Sequence, residues 1–577
     1  MLKLLKELKH YKLESILAPL FKMLEAFLEL LVPLVMADII DRGINGGDTA
    51  YVFRRALIMT GLAAVGLACS ISAQYFSAKA AVGFSTRIRH KLFEHIQKLS
   101  YGETDALGTS TMVTRLTSDI NQVQTGLNLT LRLLLRSPFV VFGSMIMAFT
   151  IDTESALTFA AAIPLLCGVV FSIMLISIPM YRKVQQKLDT VLSKTRENLT
   201  GVRVIRAFRL EDAEKKSFDS VNRDQAHMQR VVGRFAALMN PVTYVIINLA
   251  IIALLSVGGR QVNSGAITQG NLVALYNYMG QILVELVKMA SLIISITKAV
   301  ACGNRILRVL ELPTEEDEHH TAAGAIDGGS EVAVRFEHVS ARYRSACEES
   351  VSDISFTVRK GQTFGIIGGT GSGKTTVVNL IPAFYPAASG TVTVLGRNVA
   401  SAPLDSLRAH IGIVPQKAAL FKGTIRSNLL FGNGEATDDE LWQALRDAQA
   451  EDFVRAKEGQ LDAPVEQNGR NFSGGQRQRL TIARALVRKP DILILDDSAS
   501  ALDYMTDSRL RRALRALPYH PTVFIVSQRT ASLLTADQIL VLEDGQTVGL
   551  GTHEELLRCC PVYQEIHATQ FRKAEAE

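Results

Sequence analysis

Six apolar runs, at residues 16–36, 56–76, 127–151, 156–180, 235–258 and 272–296, crowd into the first three hundred positions of a 577-residue chain. Each is close to the ~20 residues that an α-helix needs to cross the ~30 Å core of a bilayer. That portion therefore predicts six membrane-spanning helices, although the first and third runs carry charges. The chain is too long for one ordinary domain, and its mean hydropathy is positive although 20% of its residues are charged.

Lysine and arginine are unevenly placed. They are frequent in 79–115 and in 181–234, which includes Arg182, Lys183, Lys187, Arg203, Arg206, Arg209, Lys215 and Lys216, whereas the 151–156 turn has none and 259–270 has only Arg260. The positive-inside rule puts both basic connections and both chain ends on the cytoplasmic side of the cytoplasmic membrane. The turn at 42–49 then faces outside, with Arg54 and Arg55 as small exceptions. Residues 83–124 and 180–234 keep helical spacing too long for loops, so the membrane helices should continue into the cytoplasm. Residues 1–14 alternate Lys3, Lys6, Lys9 and Lys12 with leucines, which predicts an amphipathic helix on the inner leaflet. They lack the order of a signal peptide.

Further along, residues 368–375 read Gly368-Gly369-Thr370-Gly371-Ser372-Gly373-Lys374-Thr375, followed by Thr376. Glycines let successive N–H groups point at phosphate oxygens, Lys374 supplies a charge for the β/γ-phosphates, and Thr375 offers a hydroxyl to Mg²⁺. The apolar stretch 363–367 before it reads as a buried strand and 375–380 as a helix start, which places the nucleotide at a helix N-terminus. Residues 491–497 form a second apolar strand ending in Asp496 and Asp497, so that Asp496 reaches the Mg²⁺ shell. Phe472-Ser473-Gly474-Gly475-Gln476 precedes an amphipathic helix, with Ser473 as its N-cap.

This order of pieces resembles the ATP-binding cassette (ABC) family, whose signature is Leu-Ser-Gly-Gly-Gln. The resemblance implies further roles: Tyr343 stacks on adenine, Gln416 senses Mg²⁺ and the membrane domain, and Asp503, in Ser500-Ala501-Leu502-Asp503, lies in the loop crossing to an opposite site. It also implies an exporter-type α-helical transmembrane domain of six long helices, forming a domain-swapped dimer. The fold class is this helical domain fused to an α/β P-loop nucleotide-binding domain. The expected limits are 1–311 for the membrane domain, 312–330 for a polar, glycine-rich linker and 331–577 for the cassette. Short coupling helices are expected near 101–108 and 210–217, and the stretch 201–208 matches one common in exporters.

Two positions depart from the family pattern. The family carries Glu after the Mg²⁺ aspartate, as the base that polarises water, but here Asp497 is one methylene shorter. It carries a switch His where this chain has Gln528, which cannot titrate. In the family each ATP lies between one chain's loop and the other chain's signature, here the intact Ser473, Gly474, Gly475 and Gln476. The implied assembly is a heterodimer in which a different half-transporter does most of the hydrolysis, with a homodimer of two slow sites as the alternative. Bacterial heterodimeric multidrug-type exporters are the nearest resemblance, with drugs or lipids as cargo; a lipid or glycolipid flippase and a nucleotide-regulated channel or sensor are the rivals.

Polar residues within the spans are costly unless they face protein or water, which nominates Glu25, Glu29, Asn240, Tyr244, Asn248, Tyr276 and Glu285 for the cargo path. Lys22 with Glu25 and Glu285 with Lys288 could instead pair to lock helices. Glu29 is expected to be unpaired and to meet a cationic amphiphile. Asp38, Asp41 and Arg42 suit an outward gate or plain solvation. The six cysteines show no metal spacing, and the net charge of +6 follows from the basic extensions without calling for nucleic acid. No peptidase domain is expected ahead of the spans.

Overall fold

Uninterrupted apolar sequence becomes uninterrupted helix along most of the first three hundred residues. The computed structural model describes residues 2–318, 329–344, 346, 348–498 and 500–574, and the chain divides into two units: residues 1–94 with 110–311, and residues 95–109 with 312–577. Most of the expected linker, 319–328, and Cys347 lie outside the described residues.

In the first unit α1 (Lys12–Asp38) leads through a π-helical turn at Ile39–Ile44 to α2 (Thr49–Lys98). The chain passes through α3 (Tyr101–Leu107), which belongs to the second unit, and returns as α4 (Ile120–Leu133) and α5 (Arg136–Ile151). The predicted run 127–151 is broken at 134–135 because Pro138 has no N–H to give the carbonyl of Leu134. Then follow α6 (Thr153–Thr200), the short α7 (Val202–Ala207), α8 (Glu211–Ala237), α9 (Met239–Asn263) and α10 (Gln269–Leu310). Asp152 and Thr268 cap α6 and α10 through the N–H groups of Ser155 and Asn271, at 2.7 and 3.2 Å.

Five of the six predicted spans are long and apolar enough to cross a membrane. The sixth, α1, has the length, 27 residues, but carries Lys22, Glu25 and Glu29. The helices pack around Leu30, Phe159, Leu166, Ile247, Tyr278 and Ile282, and the Tyr278 hydroxyl donates to the Leu30 carbonyl at 2.6 Å. Small residues permit close approach: a Cβ at Gly126 would stand 2.2 Å from that of Ala299.

Two expectations change here. Residues 2–11 are not one amphipathic α-helix: a turn at Leu2–Leu5 gives way to a 3₁₀ segment, Lys6–Tyr11. Glu7 ties it to α2 through Lys91 at 3.3 Å and Arg87 at 3.5 Å. The stretch 210–217, where a short coupling helix was expected, opens a long helix instead. Glu211, Asp212 and Glu214 favour the positive end of a helix macrodipole and begin α8, and a short helix falls earlier, as α7.

The second unit holds two main sheets. Antiparallel β2 (Val351–Arg359), β1 (Val332–Ala341), β4 (Ser389–Val394) and β5 (Arg397–Asn398) form one. The other runs β12 (Gln546–Gly551), β11 (Gln538–Glu543), β3 (Thr363–Gly368), β10 (Thr522–Val526), β9 (Ile492–Asp496), β6 (Ile411–Val414), parallel except for the β11–β12 pair. A small ribbon joins β7 (Gly423–Thr424) to β8 (Pro464–Val465). Strands β9 and β10 are buried at every position, as parallel strands covered on both faces are. The rings of Phe336, Phe356, Phe364 and Phe524 carry the core from one sheet to the other, with centroids 4.5–5.5 Å apart.

Helix α3 is part of this unit. Tyr101 stacks on Phe384 at 4.2 Å, the Tyr385 hydroxyl donates to Asp105 at 2.5 Å, and Arg344 pairs with Glu103. The Tyr385 hydroxyl is held well above its usual titration range by burial and by Asp105.

Candidate functional site

Strand β3 ends in the middle of the parallel sheet, and the loop 369–373 turns there into α11 (Lys374–Leu380). Gly373 sits at φ 92°, and a Cβ on it would come within 2.4 Å of Val351. Only glycine fits there without strain. The Lys374 ammonium folds onto the loop, donating to the Gly368 and Gly369 carbonyls at 3.0 and 2.5 Å and to the Ser372 hydroxyl at 3.3 Å. Burial pulls its pKa below that of an ordinary lysine, against the opposing pull of Asp497 and Asp496.

The end of the neighbouring β9 brings in Asp496, whose two oxygens accept from the Thr375 hydroxyl at 3.2 and 3.1 Å. Burial pushes the Asp496 carboxyl above its usual range, aided by the adjacent Asp497 and opposed by the Thr375 bond. Hydroxyl and carboxylate oxygens on adjacent elements suit Mg²⁺, which takes one or two carboxylates plus phosphate oxygens. Thr375 and Asp496 would hold the ion, which supplies neutralising charge for the β/γ-phosphates.

One cavity of about 640 Å³ unites Tyr343, Thr370, Gly371, Gly373, Lys374, Thr375, Thr376, Gln416, Asp496, Asp497 and Gln528. Tyr343 shares a hydrogen bond with Thr376 at 3.1 Å and meets Tyr385 edge to face at 4.8 Å. Asp497 has φ 45°, with its N–H given to the Val526 carbonyl at 3.0 Å. Residues missed in the sequence also line the cavity, among them Glu348, Glu349 and the Asp544-Gly545 turn between β11 and β12. Asp-Gly is a legible turn signal, but nothing in the sequence ties that turn to the loop.

A further missed residue is Gln570 on α14 (Pro561–Ala574), reached after α12 (Gly474–Val487) and α13 (Tyr504–Arg515). Its amide donates to the Gln528 carbonyl at 2.7 Å and accepts from the N–H and hydroxyl of Thr530 at 2.9 and 3.0 Å. It therefore clasps the loop that presents Gln528.

The signature residues do not line this cavity. Ser473 caps α12 in a reciprocal box, its hydroxyl accepting from the Gln476 N–H at 3.3 Å and the Gln476 side chain accepting from the Ser473 N–H at 3.1 Å. Gly474 and Gly475 begin the helix, and a Cβ on Gly475 would stand 3.1 Å from the Ala501 carbonyl. Asp503 caps α13 through the Thr506 N–H at 3.0 Å, a bond that lowers its pKa.

In the membrane unit the nominated residues separate into two sets. Lys22 pairs with Glu25 at 2.6 Å and donates to Ser70 at 3.3 Å, and Lys288 pairs with Glu285 at 3.0 Å. Glu29 is not unpaired: Arg136, absent from the nominations, donates to it at 2.6 Å and also pairs with Glu285. Its position just before Pro138, at the break between α4 and α5, turns it toward α1 and α10. By contrast, Asn240, Tyr244 and Asn248 share an exposed face of α9, and Tyr276 is exposed on α10. Asp38 and Asp41 act as braces, the first bonded to Arg55 at 2.5 Å and the second accepting from the Gly270 N–H at 2.8 Å.

Comparison with known proteins matches both units. The family described as ABC transporter transmembrane region covers residues 15–286, and that described as ABC transporter covers 351–500. An uncharacterised ABC transporter ATP-binding protein of Mycobacterium tuberculosis is 37% identical over 560 residues, 96% of this chain and 95% of that one. YheI of Bacillus subtilis, named a probable multidrug resistance ABC transporter ATP-binding/permease protein, is 34% identical over 493 residues, 84% of this chain and 82% of its own. The fold matches the structure of a bacterial Atm1-family ABC exporter with ATP bound at a TM-score of 0.82 and 23% identity, over 97% of this chain and 99% of that one. With six long helices and a phosphate-loop cassette on one polypeptide, this chain belongs to the ABC transporter family as an exporter-type half-transporter.

Proposed function

We propose that this chain is the degenerate-site half of a heterodimeric exporter that uses ATP and Mg²⁺ to move amphipathic small molecules, drugs or lipids, out across the cytoplasmic membrane. The observation that carries this reading is the pair Asp497 and Gln528 lining the same cavity as Lys374, Thr375 and Asp496. The binding parts are complete while the two groups expected to handle the water are altered. A retracted carboxylate forfeits much of the roughly 10²–10⁴-fold that a positioned base contributes.

In this reading ATP is held between Tyr343 and the loop 368–376, with Lys374 on its terminal phosphates and Gln416 reporting Mg²⁺ to the membrane domain. Ser473, Gly474, Gly475 and Gln476, with Asp503, complete the site of the partner half-transporter, whose own Glu and His hydrolyse. The exposed Val204 and Phe208 around α7 suit docking on that partner. Both chain ends and the nucleotide unit lie in the cytoplasm.

The test is ATPase activity of the chain alone and with a partner half-transporter. Negligible turnover alone, appearing in the pair and vanishing when the partner's catalytic Glu is changed to Gln, supports the reading. Strong activity from this chain alone sinks it and makes Asp497 a competent base. Replacing both Asp497→Glu and Gln528→His should raise turnover of the pair about tenfold or more; no change would mean that the partner's signature limits the rate.

A further inference from the structure

Arg136 uses its guanidinium unevenly. Its Nη1 is given to Glu285 and its Nη2 to Glu29, but its Nε is buried and has no hydrogen-bond partner among the described residues. Nε and Nη2 lie along one edge of the guanidinium, the edge that grips a carboxylate or phosphate with two parallel bonds. Glu29 takes only one of the two. The Arg136 side chain is 7% exposed, so the unused donor is a buried polar group whose desolvation is uncompensated.

The surrounding charges add direction. Glu285 Oε1 accepts from both Arg136 and Lys288, and Glu285 Oε2 accepts from the Ser137 hydroxyl. Two cations on one carboxylate leave an excess positive charge, which Glu29 balances. The two carboxylates differ in freedom: Glu285 is 4% exposed, whereas Glu29 is 42% exposed. Glu29 has room to turn away from Arg136, and Glu285 does not. Lys288, bonded to Glu285 at 3.0 Å, is 46% exposed. Glu29, Arg136 and Glu285 each lie about four turns, or 22–24 Å, from the short-turn ends of α1 with its π-turn, α5 and α10. In a ~30 Å hydrocarbon layer that is roughly 6–8 Å from the opposite boundary, where a charged headgroup can stay near the interface while its acyl chain lies in the hydrocarbon.

We propose that Arg136, assisted by Lys288, is a binding site for the anionic headgroup of an amphiphile, a carboxylate or a phosphate, and that Glu29 is its built-in stand-in. An arriving anion takes the Nε/Nη2 edge, Glu29 turns outward, and the buried charges remain balanced. This deepens the transport reading by naming the charge of the cargo, and it reverses the expectation that Glu29 receives a cation. As a transport site it rests on that reading; as a binding site it does not.

The experiment is equilibrium binding to the assembled transporter in nanodiscs of neutral phosphatidylcholine, without nucleotide, with empty nanodiscs subtracted. The probes are dodecanoate, dodecyl phosphate, dodecylamine and dodecanol. At least one of the two acids should bind tenfold or more tighter than the amine and the alcohol, and the tighter acid assigns the headgroup. Glu29→Gln should tighten acid binding severalfold by removing the competing carboxylate. Arg136→Lys, which keeps the charge but loses the two-bond edge, should erase the preference for acid over amine. Should Arg136→Lys fail to assemble, Lys288→Gln carries the test, with a severalfold weakening expected for the acids alone. Amine binding equal to or tighter than acid binding, or weaker acid binding in Glu29→Gln, overturns the proposal. Because no ATP is present, an inactive ATPase would remove the exporter reading without touching this result, and an absence of acid binding in an active ATPase would remove only the site.

Discussion

Lys374 and Arg136 are both buried cations, yet their surroundings are opposite. Lys374 has loop carbonyls and a hydroxyl as partners, whereas Arg136 is held between carboxylates from two other helices. The first arrangement leaves a charge uncompensated and ready for a polyanion. The second meets its charge with carboxylates and ties three helices together, leaving one buried donor, Nε, unused. Burial alone therefore does not say whether a charge stands open to a ligand or is covered by a protein group that a ligand must displace; the nature of its partners does.

Removing each charge tests this contrast most severely. Arg136→Ala leaves Glu285 buried without its guanidinium and should cost roughly 3–5 kcal/mol, read as a drop in thermal unfolding in nanodiscs. Lys374→Ala should leave nucleotide-free unfolding no lower than in the parent protein, because burial already disfavours its protonated form, while ATP binding weakens by about 1.5–3 kcal/mol, the worth of a charged hydrogen bond. Equal losses of nucleotide-free stability in the two variants would break the comparison.

Sharper still is the pH dependence of MgATP binding to the nucleotide unit. Asp496 must be ionised to hold Mg²⁺, and its raised pKa means that affinity is lost, as pH falls, sooner than an ordinary carboxyl of 3.8 would dictate. Lys374 must be protonated to bind phosphate, and its lowered pKa means that affinity declines, as pH rises, before the ordinary lysine value of 10.5. The expected profile is a bell narrowed from both sides. Titrating nucleotide affinity in Lys374→Arg should keep the acid limb and move the alkaline limb outward; an unmoved alkaline limb would assign it to another group.

The smallest expected effect lies at the rim of the cavity. Gln570→Ala removes three hydrogen bonds to the 528–530 loop and should destabilise that loop by about 0.5–1.5 kcal/mol. Faster amide hydrogen exchange at Thr530, with little change in global unfolding, is the reading to seek. Unchanged exchange would show that the loop is held by the sheet alone.

Legibility followed the same division. Much of the lining of the cavity at the loop could be read in advance because its parts, in 370–376, Gln416 and 496–497, each lie on a short contiguous stretch whose local geometry dictates where it points. Gln570 could not be read: its amide follows no motif, and only the packing of α14 brings it to Gln528. In the membrane unit the local pairs Lys22–Glu25 and Glu285–Lys288, each three residues apart on one helix, were legible as an alternative to cavity lining. The contact of Glu29 with Arg136 spans 107 positions and was not. The shift of the short helix from 210–217 to α7 has a local cause, since Glu211, Asp212 and Glu214 mark the start of the long α8.

By itself, then, the sequence determined what repeats along a helix or closes within a turn: the apolar lengths that suit a bilayer, the glycine loop, the capped signature and the two altered positions at 497 and 528. These rest on interactions between near neighbours, whose geometry follows from residue type. Only the tertiary structure decided which buried charges meet. An arginine beside a proline break on α5 could have faced lipid, water or protein, and the packing of α1 and α10 around it turned it toward Glu29 and Glu285. Long-range pairing of this kind depends on the path of the chain between the partners, and no local pattern encodes it.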